Sequence, residues 1–266
     1  MINLTLLKQD LRSLCKMLII FAAVLAMYFG TVIYMYEPEL NRSLMDMAKT
    51  MPAMMGAFGM GGSYTTLTGF LSTYLYGFLM VIIPLIFVIM AATRLVVSHT
   101  DRGSMAQLLA APVTRSSLML TQAAGLLIST VALIGIAAGS GILYSMIMFP
   151  GRLDMREYLF LNLGLLALQY AVAGLCFLSS CIFSETKNSL ILSAGIPLLA
   201  YLIKMLANMG GDLGRLKYFT YYSLYDTSGI INDEHSAGMK LLVLFAAGCV
   251  FFLLAIKIFC RRDLHI

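Results

Sequence analysis

Six apolar runs, each long enough to cross a bilayer as a helix, dictate what this chain can fold into. A span needs about 20 largely apolar residues, because the hydrocarbon core is about 30 Å thick. Stretches 17–36, 69–93, 117–149, 158–183, 189–208 and 241–260 meet that demand. In lipid every backbone N–H and C=O must be satisfied internally, which leaves helices or closed barrels. Long unbroken apolar runs select helices. The predicted fold class is an all-α integral membrane protein, with residues 1–266 forming one transmembrane domain. Composition agrees: 60% of the 266 residues are hydrophobic and 12% charged, where a soluble domain carries about 25% charge.

The net charge of +5 does not point to nucleic acid, since no basic cluster is interleaved with aromatics on a soluble face. A positive-inside bias accounts for it more simply. Cys15, Cys176, Cys181, Cys249 and Cys260 lie in or beside apolar runs, are odd in number and form no CxxC pair. That argues against a disulfide framework or a zinc site. The run Met17–Tyr36 is too long for a signal h-region and is read as a retained membrane helix.

Residues 1–16 read as an interfacial amphipathic helix or as the polar flank of the first span. Leu4, Leu7, Leu11 and Leu14 form one stripe, with Thr5, Lys8, Gln9, Arg12, Ser13 and Lys16 opposite. The third span has length enough to tilt, to break near Gly139 and Gly141, or to project past the membrane. Pro84 and Pro197 each place a kink or a tolerated bend inside a span, with a freed carbonyl that needs a partner. Lys8, Arg12, Lys16, Arg94, Arg102, Arg115, Lys187, Lys257, Arg261 and Arg262 fall on one side, and most acids on the other. This favours both termini in the cytoplasm, and an even number of spans, which sets them on one side, agrees. In the outer loops, a short helix is expected around Leu44–Met55. The tyrosine-rich stretch 209–237 is either an interfacial anchor or a cap over an exit.

The longest polar interval on the cytoplasmic side is His99–Gln122. It contains Asp101, Arg102 and Gly103, a short amphipathic helix over Ser104–Ala111, a stop at Pro112 and a basic re-entry at Arg115. Met105, Leu108 and Leu109 share one stripe of that helix, and Pro112 cannot continue it. A helix under about 12 residues is marginal alone. A partner protein is expected to hold it.

Other motifs are weaker. Gly56–Ser63 has the spacing of a phosphate-binding loop, but Gly62 stands where the phosphate-contacting lysine belongs. The chain is therefore expected to have no nucleotide-hydrolysing site of its own. No span interior holds an aspartate or histidine suited to intramembrane proteolysis. Lys204 and Lys257 sit near span ends and can snorkel, and a midplane carboxylate of the kind that couples ion-driven transport is missing. Gly125, Gly135, Gly139, Gly141, Gly164 and Gly174 suit close helix packing.

The stretch Asp101–Arg115, DRGSMAQLLAAPVTR, resembles the cytoplasmic segment of ABC-2 type permease subunits of ABC exporters. The likeness rests on Asp101, Gly103, Ser104, Leu108, Leu109, Pro112, Val113, Thr114 and Arg115. The tail Phe259–Leu264 is similar to that family's closing F-x-R-R-D-L. Many members carry a glutamate just ahead of the segment, where this chain has Ser98, His99 and Thr100, so Asp101 alone supplies an acid.

The resemblance implies six spans, an N-terminal interfacial helix, cytoplasmic termini and a location in a bacterial inner membrane. It implies a coupling helix between the second and third spans. Asp101, Arg102, Gly103, Met105, Leu108, Leu109, Pro112 and Arg115 would then bind a separate cytoplasmic ABC ATPase present in two copies, with Ser184–Asn188 as a lesser contact. ATP and magnesium would be bound by that ATPase, and no cofactor or metal by this chain. A second permease chain, identical or a sister, would complete the pathway. The expected function is the permease of an ATP-driven exporter. Two other readings stand beside it: an ATP-independent transporter or channel, and a membrane sensor or scaffold that moves nothing.

Overall fold

The computed structural model describes residues 2–36, 50–59, 66–101, 114–231 and 235–261. Among these, six helices are long and apolar enough to cross a membrane. The protein is an all-α integral membrane protein. Helix α1 spans Leu4–Tyr34 and α2 is the short Pro52–Ala57. The second span is composite: α3 (Leu67–Leu71), a π-helical stretch (Ser72–Leu79), α4 (Met80–Leu95) and α5 (Val97–Asp101). Helices α6 (Arg115–Met148), α7 (Met155–Ile182) and α8 (Thr186–Asn208) follow. Two 3₁₀ segments, Gly211–Phe219 and Tyr221–Leu224, and the short α9 (Thr227–Ile231) lead into α10 (His235–Arg261).

The second and fourth spans are the core: 67% of the central window of each is buried, against 22–39% for the other four. Helix α7 packs against α10, α4, α8 and α6, while α1 lies along α6 and α4. The outer helices keep one apolar face unburied, as with Ile19, Ile20 and Met27 on α1 and Leu198, Leu199 and Leu202 on α8. In a bilayer such faces meet lipid, so their exposure carries no penalty.

Close packing is bought by small residues. A Cβ at Gly141 would overlap the Tyr158 hydroxyl and lie 2.8 Å from the Phe29 ring. Cβ atoms at Gly164 and Gly174 would come within 2.9 Å of Tyr225 and Phe251. Gly135 and Gly139 meet nothing within 4 Å, so the glycine pattern of the third span serves packing at only some positions.

Several details differ from the sequence reading. Residues 4–16 do not form a separate interfacial element; α1 runs unbroken through Lys16 and Met17. No proline or glycine interrupts the chain before Gly30, so nothing stops the helix. Leu14 and Met17 are buried and Lys8, Gln9, Arg12 and Lys16 exposed, but Leu7 and Leu11 are only half-buried and Leu4 is 76% exposed. The third span does not break at Gly139 or Gly141; it is one 34-residue helix. The second span exceeds its predicted 69–93, reaching from Leu67 to Asp101. The outer helix is observed over Pro52–Ala57, and Leu44–Lys49 lies outside the described residues. Tyrosines of 209–237 divide: Tyr222 and Tyr225 are core residues, whereas Tyr218 is 80% exposed.

Neighbouring helices bond to the backbone beside both prolines, and at Pro197 they reach the freed carbonyl itself. In α8, Pro197 frees the Ser193 carbonyl, and the Cys176 thiol of α7 reaches it at 3.5 Å. Ser179 adds a bond to the Ser189 carbonyl at 2.9 Å one turn earlier. Beside Pro84, the Gln169 amide donates to the Val81 carbonyl at 2.9 Å. The Tyr201 hydroxyl donates to the Gly77 carbonyl within the π-helical stretch at 3.1 Å. Irregular backbone at membrane depth is tolerated where protein groups satisfy it.

Candidate functional site

Three helix ends meet where the polar interval leaves and re-enters the bundle. Helix α5 carries the second span out to Asp101, whose side chain is exposed. Helix α6 begins at Arg115, half-exposed, with Thr114 as its N-cap: the Thr114 hydroxyl accepts from the Ser117 N–H at 3.3 Å. A threonine at this position satisfies one of the free N–H groups of the first turn. Of the predicted site, Asp101 and Arg115 are thus placed at the two rims. Arg102, Gly103, Met105, Leu108, Leu109 and Pro112, with the expected helix Ser104–Ala111, lie outside the described residues.

The rims are tied to each other. Gln122, two turns into α6 and fully buried, donates its amide to the Leu95 carbonyl of α4 at 2.6 Å. Just beyond, Val96 departs from helical geometry and the His99 N–H closes a turn on the Val96 carbonyl at 3.0 Å. Gln122 therefore bridges the two spans at the level where the chain leaves one of them.

The start of α1 joins the same frame. Asn3 caps α1, its side-chain oxygen accepting from Thr5 and Leu6 at 3.0 and 3.2 Å. The Asn3 N–H donates to the Thr121 hydroxyl at 3.0 Å, and that hydroxyl donates to the Ser117 carbonyl at 2.7 Å. Four residues further along α6, a Cβ at Gly125 would stand 3.5 Å from the Asp10 Cβ of α1. Asp10 is 5% exposed, and its Oδ2 has no hydrogen-bond partner among the described residues. Helix α8 contacts α5 directly. The N-cap and first turn of α8 present Glu185, Lys187 and Asn188 to solvent, with the Asn188 amide donating to Glu185 at 2.9 Å. The second short loop and the rim of the first thus belong to one surface.

Sequence reasoning missed the roles of Asn3, Asp10, Thr121 and Gln122. For Asp10 a signal existed: it falls at three- and four-residue spacing from Leu7 and Leu14, on the buried stripe rather than the polar face. For Gln122 none existed, because its partner lies 27 residues away. The glycine-rich Gly56–Ser63 proves to be a packing device as far as it is described. Gly59 has φ of +74° and approaches Gly77 of the π-helical stretch, and a Cβ at Gly56 would lie 2.6 Å from the Asn208 carbonyl. Among the described residues, no group of three or more histidine, cysteine or acidic side chains is placed to hold a metal ion.

No curated protein matches the chain. A family model described as ABC-2 family transporter protein matches residues 4–264, from the first turn of α1 to beyond the end of α10. That range takes in all six spans, both rims and the interval between them. The chain belongs to the ABC-2 family of transporter proteins, as the membrane-spanning permease of an ABC transporter.

Proposed function

We propose that this permease is the membrane half of an ATP-driven exporter, and that Asp101–Arg115 is its docking segment for a separate cytoplasmic ATPase. On this reading two ATPase subunits bind the cytoplasmic ends of two permease chains, identical or sister, and both termini of each chain face the cytoplasm of a bacterium. ATP and magnesium sit in the ATPase.

The tie between Gln122 and the Leu95 carbonyl carries the proposal. A short segment transmits force only if its two roots move together. Here the exit of the second span and the entry of the third are joined by a buried hydrogen bond, with α1 fastened to the same turn of α6. A displacement of the segment is then delivered to α4, α6 and α1 as one body. Leu108 and Leu109 would supply the apolar anchor in the ATPase groove, and Asp101 and Arg115 the charged rim. The sequence places no carboxylate near the midplane of a span, which favours an external energy source over ion coupling.

The test is recovery of the chain from its native membranes in mild detergent, followed by mass spectrometry. The expected result is a P-loop ATPase that co-purifies with the chain and is lost when Leu108 and Leu109 become aspartate. An intact chain recovered without any ATPase would overturn the proposal and favour a transporter or channel that works alone. An ATPase recovered with no ATP-dependent flux of any tested solute would favour the sensor reading.

A further inference from the structure

At the end of the bundle opposite the termini, the π-helical stretch, the last turns of α8, the 3₁₀ segments and α9 surround an open cavity of about 490 Å³. This lies within the ~300–1,000 Å³ typical of small-molecule sites. Most of the residues that line it carry a polar group, and those whose hydrogen bonds are unused decide what it can hold.

Most of the hydroxyls have already given their protons away. Ser72 and Thr73 both donate to the Gly69 carbonyl, at 2.8 and 2.9 Å, and Ser228 donates to Asp226 at 2.9 Å. Asp226 is itself neutralised: the Gly229 N–H donates to it at 3.1 Å and Lys240 pairs with it at 3.3 Å. The cations differ. Lys204 has an ammonium with three donors, yet among the described residues its only hydrogen bond is a long one, 3.5 Å to the Tyr225 carbonyl, with the Tyr225 ring 5.6 Å away. Lys217 also lines the cavity and contacts the Tyr218 ring at 5.2 Å. Asn208 adds a side-chain amide to the same wall. Among the described residues, the donors left over are therefore two ammonium groups, one amide and the Thr227 hydroxyl, and the one carboxylate of the lining is already compensated.

We infer that this cavity is a binding site for a phosphate group, held between Lys204 and Lys217 with the Asn208 amide as third donor. Several converging donors suit a phosphate, whose oxygens accept multiple charge-assisted bonds. The site lies where the spans end, so the phosphate is carried either by a soluble compound or by a lipid headgroup. The inference is independent of ATPase docking, which concerns the other end of the bundle.

The test is amine labelling of the full-length chain in phosphate-free maltoside micelles, read peptide by peptide by mass spectrometry. One arm adds inorganic phosphate; the other adds phosphatidylglycerol to the micelles. Lys204 and Lys217 are expected to be protected in at least one arm, while Lys8, exposed on α1 at the far end, labels as before. Protection by phosphate identifies a soluble ligand, and protection by phosphatidylglycerol alone identifies a headgroup. In Lys217→Gln, half-protection of Lys204 is expected to need about tenfold more of the same probe, the effect of losing one charge-assisted hydrogen bond. Absence of protection in both arms, or protection of Lys204 that is unchanged in Lys217→Gln, would overturn the inference.

Discussion

Removing the Gln122 amide would take from the Leu95 carbonyl its donor on the third span. Gln122→Met keeps the volume and is expected to lower stability by about 1–3 kcal/mol, the penalty for an unmade buried hydrogen bond. Gln122→Glu sets a carboxylate oxygen against a carbonyl and is expected to lower it further at neutral pH. Thermal melting of the detergent-solubilised variants checks the order. The Cys176 thiol offers a second test, because its acceptor is the carbonyl that Pro197 frees. Cys176→Ala is expected to lose about 0.6 kcal/mol, the average for interhelical hydrogen bonds in membranes. In a Pro197→Ala background that loss should vanish, since the Ser193 carbonyl regains a helical N–H. Equal losses in both backgrounds would show that the thiol only fills space. Neither contact is legible in the sequence, where Gln122 and Cys176 read as ordinary span residues. What makes them informative is a partner on another helix, and one chain of letters does not reveal such pairings.

Among the elements, the six spans were legible because apolar length alone demands them. The irregular ones were only half so. Pro84 and Pro197 announce bends, but the π-helical stretch Ser72–Leu79 has no proline and lies where the Phe58–Gly59 turn after α2 packs on it. A Cβ at Gly77 would lie 3.0 Å from the Phe58 carbonyl, and Gly59 sits at φ +74° against Gly77. Gly59→Ala is expected to cost about 1–2 kcal/mol through its left-handed backbone alone. Gly77→Leu, which adds a side chain into that contact, is expected to lift the Phe58–Gly59 turn off the second span and expose Phe58 to proteolysis. An unchanged digestion pattern would refute the packing role. Helix α9 supplies a pH test. Burial pushes the Asp226 carboxyl up, but the Gly229 N–H, the Ser228 hydroxyl and Lys240 outweigh it and hold it below the usual carboxylate range. A depressed folded-state value means that the carboxylate stabilises the fold above the ordinary carboxylate pKa of about 4. The contribution fades as pH falls through the lower folded value. Melting curves of Asp226→Asn and the native chain should therefore converge in acid and separate towards neutral pH.

Over the whole molecule, the two ends of the bundle do different work. One gathers the starts of α1, α6 and α8 and the end of the second span into a single surface. The other holds a polar cavity with unused cationic donors. The segment proposed for docking stands out as a pattern of residues, DRGSMAQLLAAPVTR, because such a pattern needs no tertiary context to be read. Its mounting does not, since a buried glutamine and a capped N-terminus acquire meaning only once the helices are assembled.

The most direct test of force transmission through that mounting is the ATPase rate of the purified complex in nanodiscs, compared with the ATPase subunit alone. The account predicts that the native chain alters the rate. It predicts that Arg115→Glu, folded and still membrane-inserted, abolishes that change, and that Gln122→Met diminishes it. A rate indifferent to the chain, or one that Arg115→Glu leaves fully coupled, would contradict the account.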